Sequence, residues 1–359
     1  MPKMRVLIVH PLLGPDFSVH DVFTGWYEAL KELGVEVAPF NLNDRLVAFA
    51  NALADTHQYD ETGHPIVKNM FTEEGVFYAA MEGLSHALLT FWPDVVLCVS
   101  GFFLNAGTMQ LMRMRNFKIV MLCTEAPYQD SEQLERGQLA DLVLLNDPVN
   151  LGIFREHVRA EYMPHAYRPS LHHPLTGPAD PALRSDLCFI GTAFPSRVTF
   201  FEAMDLDGID VMLGGNEWGK LDPSSPLARC VGSGLGEPDC VDNEQGVRLY
   251  QHAKTGINLY RRETSITEGW DGEAWAMGPR EVEMAACQLF FLRDKREEGN
   301  EVFPMLPVFD GPQDASEKLR WWLAHDRERE RAAERARAAI ADRTFENNAK
   351  RFLALAEKL

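Results

Sequence analysis

Arg280 and Glu283 stand three residues apart in the stretch Gly278-Pro279-Arg280-Glu281-Val282-Glu283-Met284-Ala285-Ala286-Cys287-Gln288. The apolar run Leu289-Phe290-Phe291-Leu292 and then Asp294 follow. Proline at a first helical position wastes no donor, because that N–H has no intrahelical partner. An anion beside Arg280 would gain from the guanidinium and from the positive end of the helix dipole. About one turn along the same face, Glu283 could accept from a pair of hydroxyls. Phosphate at the helix tip with sugar hydroxyls beside it is the chemistry this spacing allows. An ordinary helix-to-strand turn of an α/β protein would carry the same pattern.

Other segments carry candidate chemistry. In Phe189-Ile190-Gly191 through Arg197, Gly191 would let a ligand approach the backbone, and Arg197 could pair bidentately with a diphosphate. Two arginines and two helix N-termini could neutralise a leaving diphosphate without a metal ion. In the first half, Ser18 and Asp21 fit a capping box, with Phe17 and Val22 as its hydrophobic staple. His20 has no capping task there, and a helix start favours its neutral imidazole, which could take a proton from an acceptor hydroxyl. Thr124-Glu125-Ala126-Pro127-Tyr128 closes an apolar strand, so Glu125 could act as base or bind substrate and Tyr128 could stack or hydrogen-bond. Asp147, ahead of Pro148, reads as a helix cap. His172 and His173 are adjacent, a poor chelating arrangement on a strand.

The elements that must position these residues form two series. Arg5–Val9, Val35–Phe40, Asp94–Val99, Lys118–Cys123 and Asp141–Leu145 read as strands with helices between. Continuous apolar strands alternating with helices mark a parallel sheet covered on both faces. Val22, Phe23, Trp26, Leu30 and Leu33 fall at helical spacing before Gly34. A Pro-dense stretch from Glu161 to Pro178 reads as the crossing between domains. A second series follows with Leu187–Gly191, Asp210–Leu213, Gly256–Tyr260 and Leu289–Leu292. Residues 216–243 read as a long loop, and the chain is helical from about Pro312. The expected division is 1–168, 169–340 and a terminal segment 341–359.

The 359 residues exceed one ordinary core. A net charge of −18 opposes non-specific attraction to nucleic acid or anionic lipid. No run of about 18 apolar residues could span a membrane, and a strand pattern at once leaves no room for a signal peptide. Six cysteines without a CxxC pair fit a reducing, cytoplasmic setting; Cys230 and Cys240 alone could bridge. The chain has no GxGxxG fingerprint and no P-loop, which argues against a dehydrogenase or an NTPase; HExxH and GxSxG are missing too.

The chain resembles the CgeB-type, spore-maturation-protein-like glycosyltransferases. The likeness rests on Phe17-Ser18-Val19-His20-Asp21 with Gly25-Trp26, Thr124–Tyr128, Phe189–Gly191 through Arg197, Pro279–Cys287 with Asp294, and Arg343-Thr344-Phe345-Glu346-Asn347. The resemblance implies a GT-B fold: two doubly wound Rossmann-like α/β domains facing a cleft, with a C-terminal helix returning to the first. It implies sugar transfer from a nucleoside diphosphate sugar, with Glu283 on the ribose and Arg197 and Arg280 near the diphosphate. It calls for no cofactor or metal beyond that donor. Two departures stand out. Gln288 occupies a place where the family usually has glycine, and Trp275 stands where many retaining relatives have a second glutamate. The latter favours direct displacement with His20 or Glu125 as base. The acceptor is open, with protein, glycan or small molecule favoured over nucleic acid by the acidic charge. A nucleotide-sugar epimerase or hydrolase on the same fold, or a non-catalytic binding or assembly protein, are the alternatives.

Overall fold

The computed structural model describes residues 3–10, 18–52, 54–69, 73–100, 104, 106–232, 235, 241–263 and 273–359. Phe17 and Cys240, named above, lie outside them. The chain divides into two compact units, one of Met1–Leu145, Leu151–Tyr162 and Lys350–Leu359, the other of Asn146–Asn150 and Met163–Ala349.

The first unit opens with β1 (Arg5–His10), α1 (Ser18–Glu32), β2 (Glu36–Asn41), α2 (Leu42–Ala52), β3 (Ala54–Tyr59), β4 (Pro65–Asn69) and α3 (Glu73–Phe91). It continues with β5 (Val95–Val99), α4 (Ala106–Met114), β6 (Lys118–Cys123), α5 (Asp130–Gly137), β7 (Leu142–Leu145), α6 (Leu151–Arg155) and β8 (Ala160–Tyr162). Six of these strands form a parallel sheet in the order β2-β1-β5-β6-β7-β8, and β3 pairs antiparallel with β4. Every residue of β5 and β7 is buried, as a sheet covered on both faces requires. On α1, Trp26 and Leu30 are buried; the Trp26 ring meets Phe352 edge-on at 5.7 Å. Gly34, at φ +78°, ends this helix as its sequence position suggested.

The second unit contains β9 (Ser185–Ile190), α7 (Pro195–Glu202), β10 (Val211–Gly214), α8 (Asn243–His252), β11 (Ala253–Asn258) and α9 (Pro279–Ala286). After them come β12 (Phe291–Arg293), α10 (Glu297–Val302), α11 (Pro312–Ala324), α12 (Asp326–Ala339) and α13 (Phe345–Ala356), the last of which passes into the first unit at Lys350. Its sheet is parallel throughout, in the order β10-β9-β11-β12. Phe189, Phe201 and Trp218 pack edge to face beneath it, with centroids 5.2–6.0 Å apart. The expected loop 216–243 is therefore not all surface: Trp218 lies in a short 3-10 turn and is buried in the core. No helix among the described residues is long and apolar enough to cross a membrane.

The end of α9 resolves one sequence departure. Gln288 has φ +59°, the left-handed conformation that glycine adopts without strain. The N–H groups of Gln288 and Leu289 return to Ala285 O and Met284 O at 3.0 and 2.9 Å, a Schellman closure of the helix. Gln288→Gly is therefore expected to stabilise the protein by about 1 kcal/mol, the scale of the left-handed penalty. Chemical denaturation of the two proteins side by side checks this.

Candidate functional site

In the second unit the chain runs from β9 outward to β10, then returns to β11 on the other side of β9. The carboxyl ends of β9 and β11 thus flank a topological switch point, the place where open α/β sheets bind ligands. Gly191 follows β9 there, and Leu259 and Tyr260 follow β11. Gly191 N–H bonds Gly214 O at 2.9 Å, and its carbonyl accepts from Trp218 Nε1 at 2.7 Å. Gly215, at φ +125°, packs so closely that a Cβ on it would fall 2.5 Å from Gly191 O.

Arg197 clamps this switch point. Its Nε and Nη2 donate to Leu259 O at 3.1 and 2.7 Å, and Nη1 donates to Thr192 O at 3.0 Å. The guanidinium lies 5.3 Å from the Phe189 ring centroid and 5.1 Å from that of Phe194. A Cβ at Gly191 would come 3.1 Å from Nη1, so the glycine makes room for this arginine. Sequence reading offered Arg197 for an anion; here three of its five N–H groups join two strand-end loops. Burial first, then the nearby charge of Arg280, pull its pKa down to about 10, with Arg261 adding to the repulsion. Three guanidinium groups therefore crowd one sheet edge. Glu263, which accepts the Ser196 N–H at the start of α7 at 2.8 Å, and Asp294 offset part of that charge.

Arg280 and Glu283 come together as their spacing predicts. Arg280 Nη1 is 3.5 Å from Glu283 Oε2, and the guanidinium also donates to the Tyr250 hydroxyl. Glu283 is buried, whereas Arg280 keeps part of its surface open.

What holds the tip of α9 was not visible in the sequence. Four consecutive backbone N–H groups, those of Trp275, Ala276, Met277 and Gly278, are each received by a buried carboxylate. Asp147 accepts from Trp275 and from Ala276, the latter at 2.8 Å. Glu298 accepts from Met277 at 2.8 Å, and Glu281 accepts from Gly278 at 2.9 Å. Asp147 does bond Val149 N–H at 2.9 Å, as a cap would, but its second oxygen serves this distant segment. Glu298 is neutralised by Arg343 at 2.6 Å, and Glu281 takes the Tyr260 hydroxyl, whose ring lies under the Arg296 guanidinium at 4.1 Å. Burial raises the Glu281 carboxyl to about 7, against the pull of Tyr260, Gly278 and Arg293. Burial likewise raises Asp147. Unsatisfied buried N–H groups are costly, so this chain of acids fixes the entry to α9 and with it the direction of Arg280.

In the first unit, Ser18, His20 and Asp21 all lie in the first turn of α1. Asp21 is buried; the side chains of Ser18 and His20 lie outside the described residues. Glu125 and Tyr128 share one tight turn after β6, where Tyr128 N–H bonds Glu125 O at 2.8 Å and Gln133 Oε1 receives the Glu125 N–H at 3.2 Å.

A family model described as Glycosyl transferase-like matches residues 197–354, which include Arg197, Arg280 and Glu283. Spore protein CgeB of Bacillus subtilis (strain 168) is 24% identical over 252 residues, covering 68% of this chain and 76% of that protein. Over these stretches the chain is similar to glycosyltransferases of the CgeB type. Solved structures agree on its fold. Sucrose-phosphate synthase from Thermosynechococcus elongatus superposes with a TM-score of 0.64 at 14% identity, over 99% of both chains. Anabaena Alr3699/HepE, solved in complex with UDP-glucose, gives 0.62 at 12% identity, over 99% of this chain and 100% of that chain. Both units thus have the parallel α/β architecture of the GT-B fold.

Proposed function

We propose that this chain is a glycosyltransferase that uses a nucleoside diphosphate sugar and binds it on the second unit, at the carboxyl ends of β9 and β11 and the tip of α9. The observation that carries the reading is the pairing of a partly open Arg280 with a buried Glu283 on one turn of α9, beside Arg197 and Arg261. The carboxylate suits the ribose hydroxyls, and the cations with the helix N-terminus suit the diphosphate. That much positive charge lets the leaving group depart without a metal ion. In the reaction the bond between the anomeric carbon and the diphosphate oxygen breaks, and the oxygen keeps the electron pair. A bond from the acceptor to that carbon forms, and the acceptor proton passes to a base, for which His20 and Glu125 are the candidates. The diphosphate is a ligand of HepE in the form of UDP-glucose, which supports this donor class.

The test is turnover of a panel of nucleoside diphosphate sugars in the presence of a chelator, read as nucleoside diphosphate released with and without protein, glycan and small-molecule acceptors. Release from at least one donor, accelerated by an acceptor, is expected. Binding of no nucleoside diphosphate sugar in the panel would contradict the reading.

A further inference from the structure

Between β8 and β9 the chain makes a short turn whose geometry centres on His172. The N–H groups of Leu171 and His172 both return to Arg168 O, at 3.0 and 2.7 Å, and the His172 ring closes the turn by taking the Arg168 N–H on Nδ1 at 3.2 Å. A ring that accepts on Nδ1 carries its proton on Nε2 when neutral. The next residue ties the turn to two helices: His173 O accepts from Gln251 Nε2 of α8 at 2.8 Å, and its N–H donates to the Cys287 sulfur at the end of α9. His172 is thus rigidly placed and only 2% exposed. Its Nε2 is buried and has no hydrogen-bond partner among the described residues. A ring nitrogen lies within 4.8 Å of a Glu283 carboxylate oxygen, both groups belonging to the second unit.

We propose that His172 is the second wall of the nucleoside site, donating from Nε2 to a ribose oxygen of the nucleotide whose hydroxyls Glu283 accepts. The inference rests on the reading of Glu283 given under the proposed function. The two groups lie within 4.8 Å of each other while Nε2 makes no direct hydrogen bond, and one oxygen at about 2.9 Å from the nitrogen and about 2.7 Å from the carboxylate could join them. A donor beside a buried acceptor matches a vicinal diol, whose hydroxyls both give and receive. It does not match a phosphate, which only accepts and would be repelled by Glu283. A buried N–H without a partner is costly in the free protein, and a bound hydroxyl would satisfy it.

The experiment is calorimetric titration, in chelator, with UDP, ADP and GDP and with the 2′,3′-dideoxy form of each. For the nucleotide that wild type binds, His172→Ala should weaken the ribose form about tenfold, or about 1.4 kcal/mol. The dideoxy form should change less than twofold, which also shows that the variant is folded. His172→Gln, which keeps a donor, should restore part of the loss. Equal losses for both sugars, or no loss for either, would overturn the role of His172. A wild type that binds ribose and dideoxy forms alike, with Glu283→Gln also unchanged, would instead remove the Glu283 reading and this inference with it.

Discussion

Replacing Arg280 with alanine is expected to weaken binding of a nucleoside diphosphate by roughly 30- to 1000-fold while leaving the free nucleoside unaffected. A charge-assisted bond to a phosphate contributes about 1.5–3 kcal/mol. Losing it also leaves Glu283, 3.5 Å from Arg280 Nη1, facing the anion without its neighbour. Together these effects amount to about 2–4 kcal/mol, which sets the stated range. Arg280→Lys should fall between, because an ammonium keeps the charge but loses the planar fork that reaches Tyr250 and Glu283 together. Calorimetry with diphosphate and nucleoside in parallel reads the difference. If both ligands weaken equally, Arg280 shapes the helix and does not hold phosphate.

The second large effect is a pair of opposed titrations in the second unit. Burial penalises the charge of Glu281 and pushes its carboxyl from the ordinary 4.5 up to about 7. From pH 4.5 to 7 the native state therefore holds more protons than the unfolded state, and stability falls as pH rises, by about 3 kcal/mol in all. His165 moves the other way. Burial first and then Arg343 lower it from 6.5 to about 4, and its Nε2 lies 2.8 Å from Asn146 Nδ2. Between pH 4 and 6.5 the unfolded state holds the extra proton, so stability rises with pH by a similar amount. The two slopes nearly cancel in the wild type between about pH 4.5 and 6.5. Glu281→Gln removes one of them. The stability of this variant relative to wild type should rise by about 3 kcal/mol between pH 5 and pH 8, read from the unfolding transition of the second unit in denaturant. Parallel pH profiles for the two proteins would show that Glu281 does not titrate as its surroundings dictate.

The strands that sequence reading found are those with continuous apolar runs. Val95–Val99 and Leu142–Leu145 are buried throughout, and Val6–Val9, Ile119–Cys123 and Leu187–Ile190 repeat the pattern. The hairpin β3–β4 escaped because Ala54–Tyr59 is mostly polar and Pro65–Asn69 offers only Ile66 and Val67 before Lys68, too short a run to read as a strand. Strand β8 is three residues long and sits at the edge of a Pro-rich stretch. Arg280 and Glu283 were legible because helical spacing alone brings them together. Arg197 was legible as a residue but not in its bonds, since Leu259 O is 62 residues away. The acids at the entry to α9 were illegible for the same reason: Asp147 lies 129 residues from Ala276. Local spacing reports partners one turn apart, and the fold alone brings distant ones together.

Amide hydrogen exchange with and without a bound nucleoside diphosphate tests the central claim most directly. Ligand on the second unit should slow exchange at Arg280–Glu283 and in the Gly191–Arg197 segment, because a bound diphosphate must be released before the α9 tip can open. The same ligand should leave the β3–β4 hairpin of the first unit unchanged. Slowed exchange confined to the first unit, with Arg280–Glu283 exchanging as in the free protein, would contradict the placement of the donor.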